Sequence, residues 1–291
     1  MTVRELLREG ERALADAGIR EASVDARLLL LSALKTDLKD FLLHEEDAPE
    51  SFGSGAAERY RALISRRASR EPLQYITGEQ DFCGISIQVD PRVLIPRQDT
   101  EILVEEVLRT ADRGRLLDLC TGSGCIAAAL GKLGHFSSVT AADNSRAALL
   151  VAEGNLRRAG VRAELLLSDL YGALRGRRFD VITANPPYIE TGVIASLSPE
   201  VRDFEPVSAL DGSGDGLAFY RRLAAESPAH LNCGGRVFFE IGSGQREQVL
   251  ALLSRSGFQE LSCRKDLSGL DRVVTARWNF MERKGGGCSR V

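Results

Sequence analysis

From about residue 100 onward, short apolar runs of strand length alternate with helical stretches, and this alternation restricts the fold more than any other feature of the chain. The runs are Arg115 to Leu119, Ser138 to Ala142, Ala163 to Leu167, Phe179 to Ala184 and Arg236 to Ile241. Strands that are apolar on both faces and separated by helices predict a parallel sheet covered by helices on each side. Two last runs, Phe258 to Cys263 and Arg272 to Trp278, have no helical pattern between them, so they should pair antiparallel at one edge of the sheet.

The preceding segment reads differently. Thr2 and Glu5 form a capping-box pattern ahead of Val3, Leu6, Leu7, Leu14 and Ala17 at helical spacing, and Gly18 supplies a stop. Ser23 to Leu34 and Ala56 to Ser69 read as further helices. Ile85 to Val89 and Val93 to Ile95, separated by Asp90-Pro91, predict a β-hairpin. The expected organisation is an all-helical domain over residues 1–75, a hairpin linker over 76–98, an α/β domain over 99–280, and a Gly-rich flexible tail over 281–291.

Bulk properties narrow the function classes. A formal net charge of -3 supplies no global basic field for gripping a nucleic-acid backbone, so direct nucleic-acid binding is not expected. The six cysteines include no C-x-x-C pair and only three histidines accompany them, so no metal site is expected. The N-terminus turns charged at once and no apolar run approaches membrane-spanning length, which predicts a soluble, cytoplasmic protein. We expect a monomer.

The segment Asp118-Leu119-Cys120-Thr121-Gly122-Ser123-Gly124 sits where the first strand hands over to a helix, beyond the carboxyl end of the sheet where open α/β folds bind ligands. Gly122 and Gly124 permit close backbone approach to a ligand, and Ala127 is small enough for the helix to pack on the strand. Asp143, 19 positions after Gly124, stands at the end of the second strand, where its carboxylate can accept from ribose hydroxyls. Asp169 offers a second acceptor, suited to an adenine amino group, and Leu170 an apolar face. These residues fit a nicotinamide dinucleotide as well as an adenosyl cofactor, and a tight turn without ligand would use the same glycines.

Asn185-Pro186-Pro187-Tyr188, directly after the fourth strand, discriminates between them. Two prolines cannot continue a central strand, so the backbone is held stiff just beyond the sheet. The Asn185 side-chain oxygen and the Pro186 carbonyl can both accept from one NH₂ group, and Tyr188 can lie against a planar substrate. An amide or aromatic amine has a delocalised lone pair and is a poor nucleophile. Two acceptors on its hydrogens return density to nitrogen and stabilise the positive charge that develops there, by about 3 kcal/mol per well-placed partner. Dehydrogenases have no use for this tetrapeptide.

The assembled sequence resembles the HemK/PrmC family of protein-glutamine methyltransferases. The resemblance includes Glu71 to Gly78, Val93 to Arg97 with Thr100 and Glu101, the glycine loop, Asn185 to Ile189, Glu205-Pro206, Asp215 to Leu217, Glu240 to Gly242 with Gln245, and Asp266-Leu267 with Arg272 to Val274. It implies a seven-stranded Rossmann-like domain that uses S-adenosyl-L-methionine, preceded by a helical domain that docks class I peptide chain release factors. The methyl acceptor would be the side-chain amide of their Gly-Gly-Gln glutamine. Carried over by position, Cys120, Thr121, Gly122, Ser123, Gly124, Asp143, Leu170 and Asn185 would line the cofactor site. Asn185, Pro186, Pro187 and Tyr188 would hold the glutamine, with Asn185, Pro186 and Tyr188 acting on the reacting nitrogen. The chain departs from the family at Cys120, where Gly is common, at Leu170, where some members carry an aromatic, and at Gln98-Asp99. Three other readings stay open at this point: a ribosomal-protein glutamine methyltransferase, a nucleic-acid amino-group methyltransferase, and a binding module without turnover.

Overall fold

A computed structural model describes residues 1–279, so the tail expected over 281–291 lies outside the described residues. The chain divides into two compact units, one comprising Met1–Glu79 with Ser198–Phe204, the other Gln80–Leu197 with the chain from Glu205 onward.

The first unit is helical: α1 (Val3–Asp16), α2 (Ala22–Leu34), α3 (Leu38–Leu43), α4 (Ala56–Ala68) and α5 (Leu73–Thr77). The capping box forms as its residues predict, with Thr2 Oγ1 accepting from the Glu5 amide at 3.2 Å and Glu5 Oε2 accepting from the Thr2 amide at 2.9 Å. Leu6, Leu14, Leu29 and Leu30 are fully buried in this unit's own core. At roughly 2 kcal/mol per buried aliphatic side chain, that seam is the main force holding short helices together. Gly10 has a specific reason: an added Cβ would fall 2.6 Å from Tyr60 Cζ, so only glycine lets the ring pack on α1. Within the same unit Glu200 meets Arg67 at 3.3 Å and Arg70 at 3.2 Å, while Arg67 Nε also donates to buried Asp25 at 2.7 Å.

The second unit opens with a hairpin, β1 (Glu79–Phe82) and β2 (Ile85–Gln88). A hairpin is present as expected, but its strands are not those read from the sequence. Val93 to Ile95 is not a strand; Glu79–Phe82 pairs with Ile85–Gln88 instead, through a two-residue turn. Cys83 and Gly84 have φ of 51° and 70°, the pair of positive values that a type I′ turn requires.

The remaining elements are α6 (Gln98–Thr110), β3 (Arg113–Leu119), α7 (Cys125–Leu133), β4 (His135–Asp143), α8 (Arg146–Ala159), β5 (Ala163–Leu167), β6 (Phe179–Ala184), α9 (Pro199–Arg202, which belongs to the first unit), α10 (Ala218–Glu226), β7 (Leu231–Glu240), α11 (Arg246–Arg255), β8 (Gln259–Lys265) and β9 (Asp271–Arg277). They build a seven-stranded sheet of order β5-β4-β3-β6-β7-β9-β8. The first five positions in that order run parallel, and β9 is inserted antiparallel between β7 and β8. Leu116, Leu117 and Leu119 on β3 have no solvent exposure, as a central strand covered on both faces demands. The sequence order reverses between β3 and β6. Their carboxyl ends carry the glycine loop and the Asn-Pro-Pro-Tyr segment, so both motifs border the crevice at the switch point. No helix among the described residues is long and apolar enough to cross a membrane.

Candidate active site

A cleft of about 910 Å³, its mouth included, opens over the carboxyl ends of β3, β4 and β6. Cys120, Thr121, Gly122, Ser123, Asp143, Asp169, Leu170, Asn185 and Pro187 line it, so one wall collects nine of the positions read from the sequence. Gly124, Pro186 and Tyr188 are not among the lining residues.

The glycine loop is shaped by backbone demands. Cys120, Gly122 and Gly124 all have positive φ, at 55°, 53° and 77°. Left-handed backbone is free of steric cost only for glycine, which explains why glycine is common at the position of Cys120 in the family it resembles. A Cβ on Gly122 would meet nothing within 4 Å, so its bare face is available to a ligand. Gly124 works otherwise than expected. Its Cβ would meet Ala152 Cβ at 3.0 Å and Cα at 3.1 Å, so the missing side chain allows α7 to start against α8 rather than admitting a ligand.

Beneath the loop, Thr121 Oγ1 donates to Asp118 Oδ2 at 2.6 Å and Thr183 Oγ1 to Asp118 Oδ1 at 2.8 Å. Thr121 therefore contributes its hydroxyl to bracing the loop. Burial pushes the Asp118 carboxyl up to about 6, against the pull of those two hydroxyls. Asn155 of α8 ties the same loop down, donating to the Ser123 carbonyl at 2.9 Å while exchanging hydrogen bonds with Gln88 of β2.

Asp143 Oδ2 accepts from the Gly122 amide and Oδ1 from the Ser145 amide, each at 2.9 Å. With the Asn144 amide also contributing, the carboxylate is oriented by backbone donors and still has acceptor capacity to spare. Burial raises its pKa, and the amides at Gly122 and Ser145 oppose that rise. Asp169 is exposed and holds Arg222 at 2.8 Å. Leu170 is buried with φ of 47°, a second strained backbone position on the cleft wall.

Asn185 Nδ2 donates to Thr100 Oγ1 at 3.3 Å. The Tyr188 hydroxyl lies 3.5 Å from Glu240 Oε1, and its backbone carbonyl accepts from Gln245 Nε2 at 3.0 Å. Gln245 also reaches the Gly216 carbonyl at 3.3 Å, and Gly212 donates to Ile189 at 2.8 Å. The Asp211 to Gly216 loop thus packs on the backbone of the tetrapeptide. Glu240 is fully buried, and burial lifts its carboxyl to about 7 in spite of Thr100, Arg272 and Tyr188. Arg97, Thr100 and Phe219 also face the cleft and were not assigned a role from sequence. The first two stand in a motif block that the resemblance includes; Phe219 has no sequence signal and is brought there by α10.

Residues 5–78 match the family described as PrmC N-terminal domain, and residues 97–197 match the Methyltransferase small domain. The release factor glutamine methyltransferase of Geobacter sulfurreducens is 43% identical over 279 residues, covering 95% of this chain and 96% of that protein. The protein of the same description from Thermodesulfovibrio yellowstonii is 40% identical over 256 residues, covering 86% and 90%. Among solved structures, a methyltransferase from Pyrococcus furiosus superposes with a TM-score of 0.53 at 16% identity, covering 77% of this chain and 98% of that one, a likeness of fold. With identity at this level along nearly its whole length, and both domains matched in order, the chain belongs to the release factor glutamine methyltransferase family.

Proposed function

We propose that this protein transfers a methyl group from S-adenosyl-L-methionine to the side-chain amide nitrogen of the glutamine in the Gly-Gly-Gln motif of class I peptide chain release factors. The observation that carries the reading is that Asn185 and Pro187 share one cleft with Gly122 and Asp143. The cleft thus brings the Asn185 side chain, an acceptor for an NH₂ group, beside a cradle for a nucleoside. The residues suit the donor: Asp143 has lone pairs for ribose hydroxyls, Gly122 has a bare backbone, and Leu170 and Phe219 supply apolar surface.

When bound, the donor would supply a sulfonium methyl for in-line displacement by the amide nitrogen, the sulfur leaving as a neutral thioether and the nitrogen's surplus proton passing to solvent. The work of the chain is positioning. Asn185 Oδ1 and the Pro186 carbonyl accept the two amide hydrogens, orient the nitrogen lone pair and stabilise the charge that grows on nitrogen. The paired prolines hold these acceptors in place, so little reorganisation is needed when charge develops. Tyr188, anchored at Glu240 and through Gln245, closes the corner behind them. In this reading residues 1–75 dock the release factor, 76–98 connect, and 99–280 carry the chemistry, in a cytoplasmic monomer that does not grip nucleic acid.

Purified protein with methyl-labelled S-adenosyl-L-methionine is expected to label a class I release factor. A Gln to Ala change in the factor's Gly-Gly-Gln motif should abolish that label. Label entering bare tRNA, rRNA or DNA in place of the factor would overturn the assignment. A separate expectation concerns the donor: Asp143→Ala should weaken its binding by about tenfold or more, the scale of losing hydrogen bonds to a charged acceptor. Isothermal titration with S-adenosylhomocysteine measures it, and an unchanged affinity would remove Asp143 from the nucleoside site.

A further inference from the structure

We propose that Thr100 is the positioning residue that determines which atom of Asn185 faces the substrate, and that Glu240 fixes Thr100 in that task. The proposal rests on the amide-methylation reading above and deepens it. A carboxamide has nearly the same shape at its oxygen and its nitrogen, so only its hydrogen-bond partner decides which end points where. If Asn185 presented NH₂ to an NH₂ substrate, donor would face donor. The reaction needs the oxygen there.

Asn185 Nδ2 donates to Thr100 Oγ1 at 3.3 Å, which leaves Oδ1 for the cleft that both residues line. A hydroxyl that accepts must send its own single proton elsewhere. Thr100 is 2% exposed, so water is not at hand to take it. Glu240 is 1% exposed, and its Oε2 is buried with no hydrogen-bond partner among the described residues. The Thr100 hydroxyl stands near enough to that carboxyl to oppose the effect of burial on it. A small shift of either side chain would bring the Thr100 proton to Oε2, filling the carboxylate's vacant capacity and committing Thr100 to accepting from Asn185.

The arrangement is proton-sensitive. With Glu240 ionised, Thr100 donates to it and accepts from Asn185. With Glu240 protonated, the carboxyl can donate to Thr100, whose proton is then free to meet the Asn185 oxygen, and the amide turns the wrong way. Burial sets the Glu240 carboxyl at about 7. The groups facing it are Asp99 beside Thr100 on α6, which opposes ionisation, Arg272 of β9, which favours it, Tyr188 after β6, and Cys125 on α7 and Tyr220 on α10, both kept neutral by burial. Arg272 is itself held by Asp99 at 3.1 Å and Asp266 at 3.0 Å, so its charge stays in place.

The test is steady-state kinetics on a release factor for the full-length protein, Thr100→Val, Thr100→Ser and Glu240→Gln, across neutral pH, with donor binding measured in parallel. Thr100→Val keeps the shape and removes the hydroxyl, and is expected to lower kcat by about tenfold or more, the worth of an orienting hydrogen bond, with donor affinity unchanged. Thr100→Ser should retain most of kcat. The wild-type kcat should fall as pH drops through about 7, and that acid limb should vanish in Glu240→Gln. A Thr100→Val enzyme within twofold of wild type, or an acid limb that persists in Glu240→Gln, overturns the proposal. Should the valine variant fail to fold, the Glu240→Gln profile decides alone. A wild-type protein that never labels the factor is a different failure, that of the functional reading.

Discussion

Asn185→Ala is expected to reduce kcat for release-factor methylation by about 10²-fold, some 3 kcal/mol, while leaving affinity for S-adenosyl-L-methionine within a few-fold of wild type. The asymmetry follows from where the side chain sits. Its nitrogen donates to Thr100 and the residue lines the cleft, so in the proposed reading the lost interaction is the one made by its oxygen with the accepting nitrogen, most strongly as charge develops there. Single-turnover kinetics with titration of the donor separates the two quantities. Equal losses in both would place Asn185 in the donor pocket and leave the nitrogen to Pro186 alone.

Gly216→Ala should be the most damaging single methyl group in the second unit. The residue has φ of 69°, and its new Cβ would fall 2.4 Å from the Tyr188 carbonyl oxygen and 2.6 Å from Gln245 Nε2. The Gln245 amide could swing aside, but the Tyr188 oxygen is backbone and could move only with the tetrapeptide. We expect a loss of roughly 2–3 kcal/mol in stability from the strained backbone and overlap together, and turnover reduced further than the folded fraction explains. Gly214→Ala, two residues away, would meet nothing within 4 Å and serves as the control. Denaturant titration beside activity per folded molecule checks both, and a Gly216→Ala enzyme that turns over normally would show that this loop does not hold the Asn-Pro-Pro-Tyr corner.

The parallel strands were legible as short apolar runs: β5 and β6 match the sequence reading residue for residue, and β3 and β4 are longer by ends such as Arg113-Gly114 and His135. Periodicity cannot see a hairpin strand like Glu-Gln-Asp-Phe, whose pairing is set by the positive φ of Cys83 and Gly84 rather than by an apolar face. Val93 and Leu94, read as the partner of Ile85 to Val89, are apolar because they face the cleft. The chemistry-bearing motifs stood out since their oddity is local, two adjacent prolines or two glycines one residue apart. What each glycine is for was not local. Gly124 answers to Ala152, and the purpose of Thr100 and Glu240 depends on contacts between residues 85 and 140 positions apart.

The helical unit takes in seven residues from far along the chain, Ser198–Phe204, which lie between the Asn-Pro-Pro-Tyr corner and Glu205. No single cut can therefore separate the two halves of this protein. A fragment beginning at Gln80 would still contain Glu200 but neither of its arginine partners, Arg67 and Arg70, and would carry an orphaned strap a dozen residues downstream of its own reaction corner. Anyone trimming the molecule to a minimal enzyme must redesign that strap as well as choose an end point.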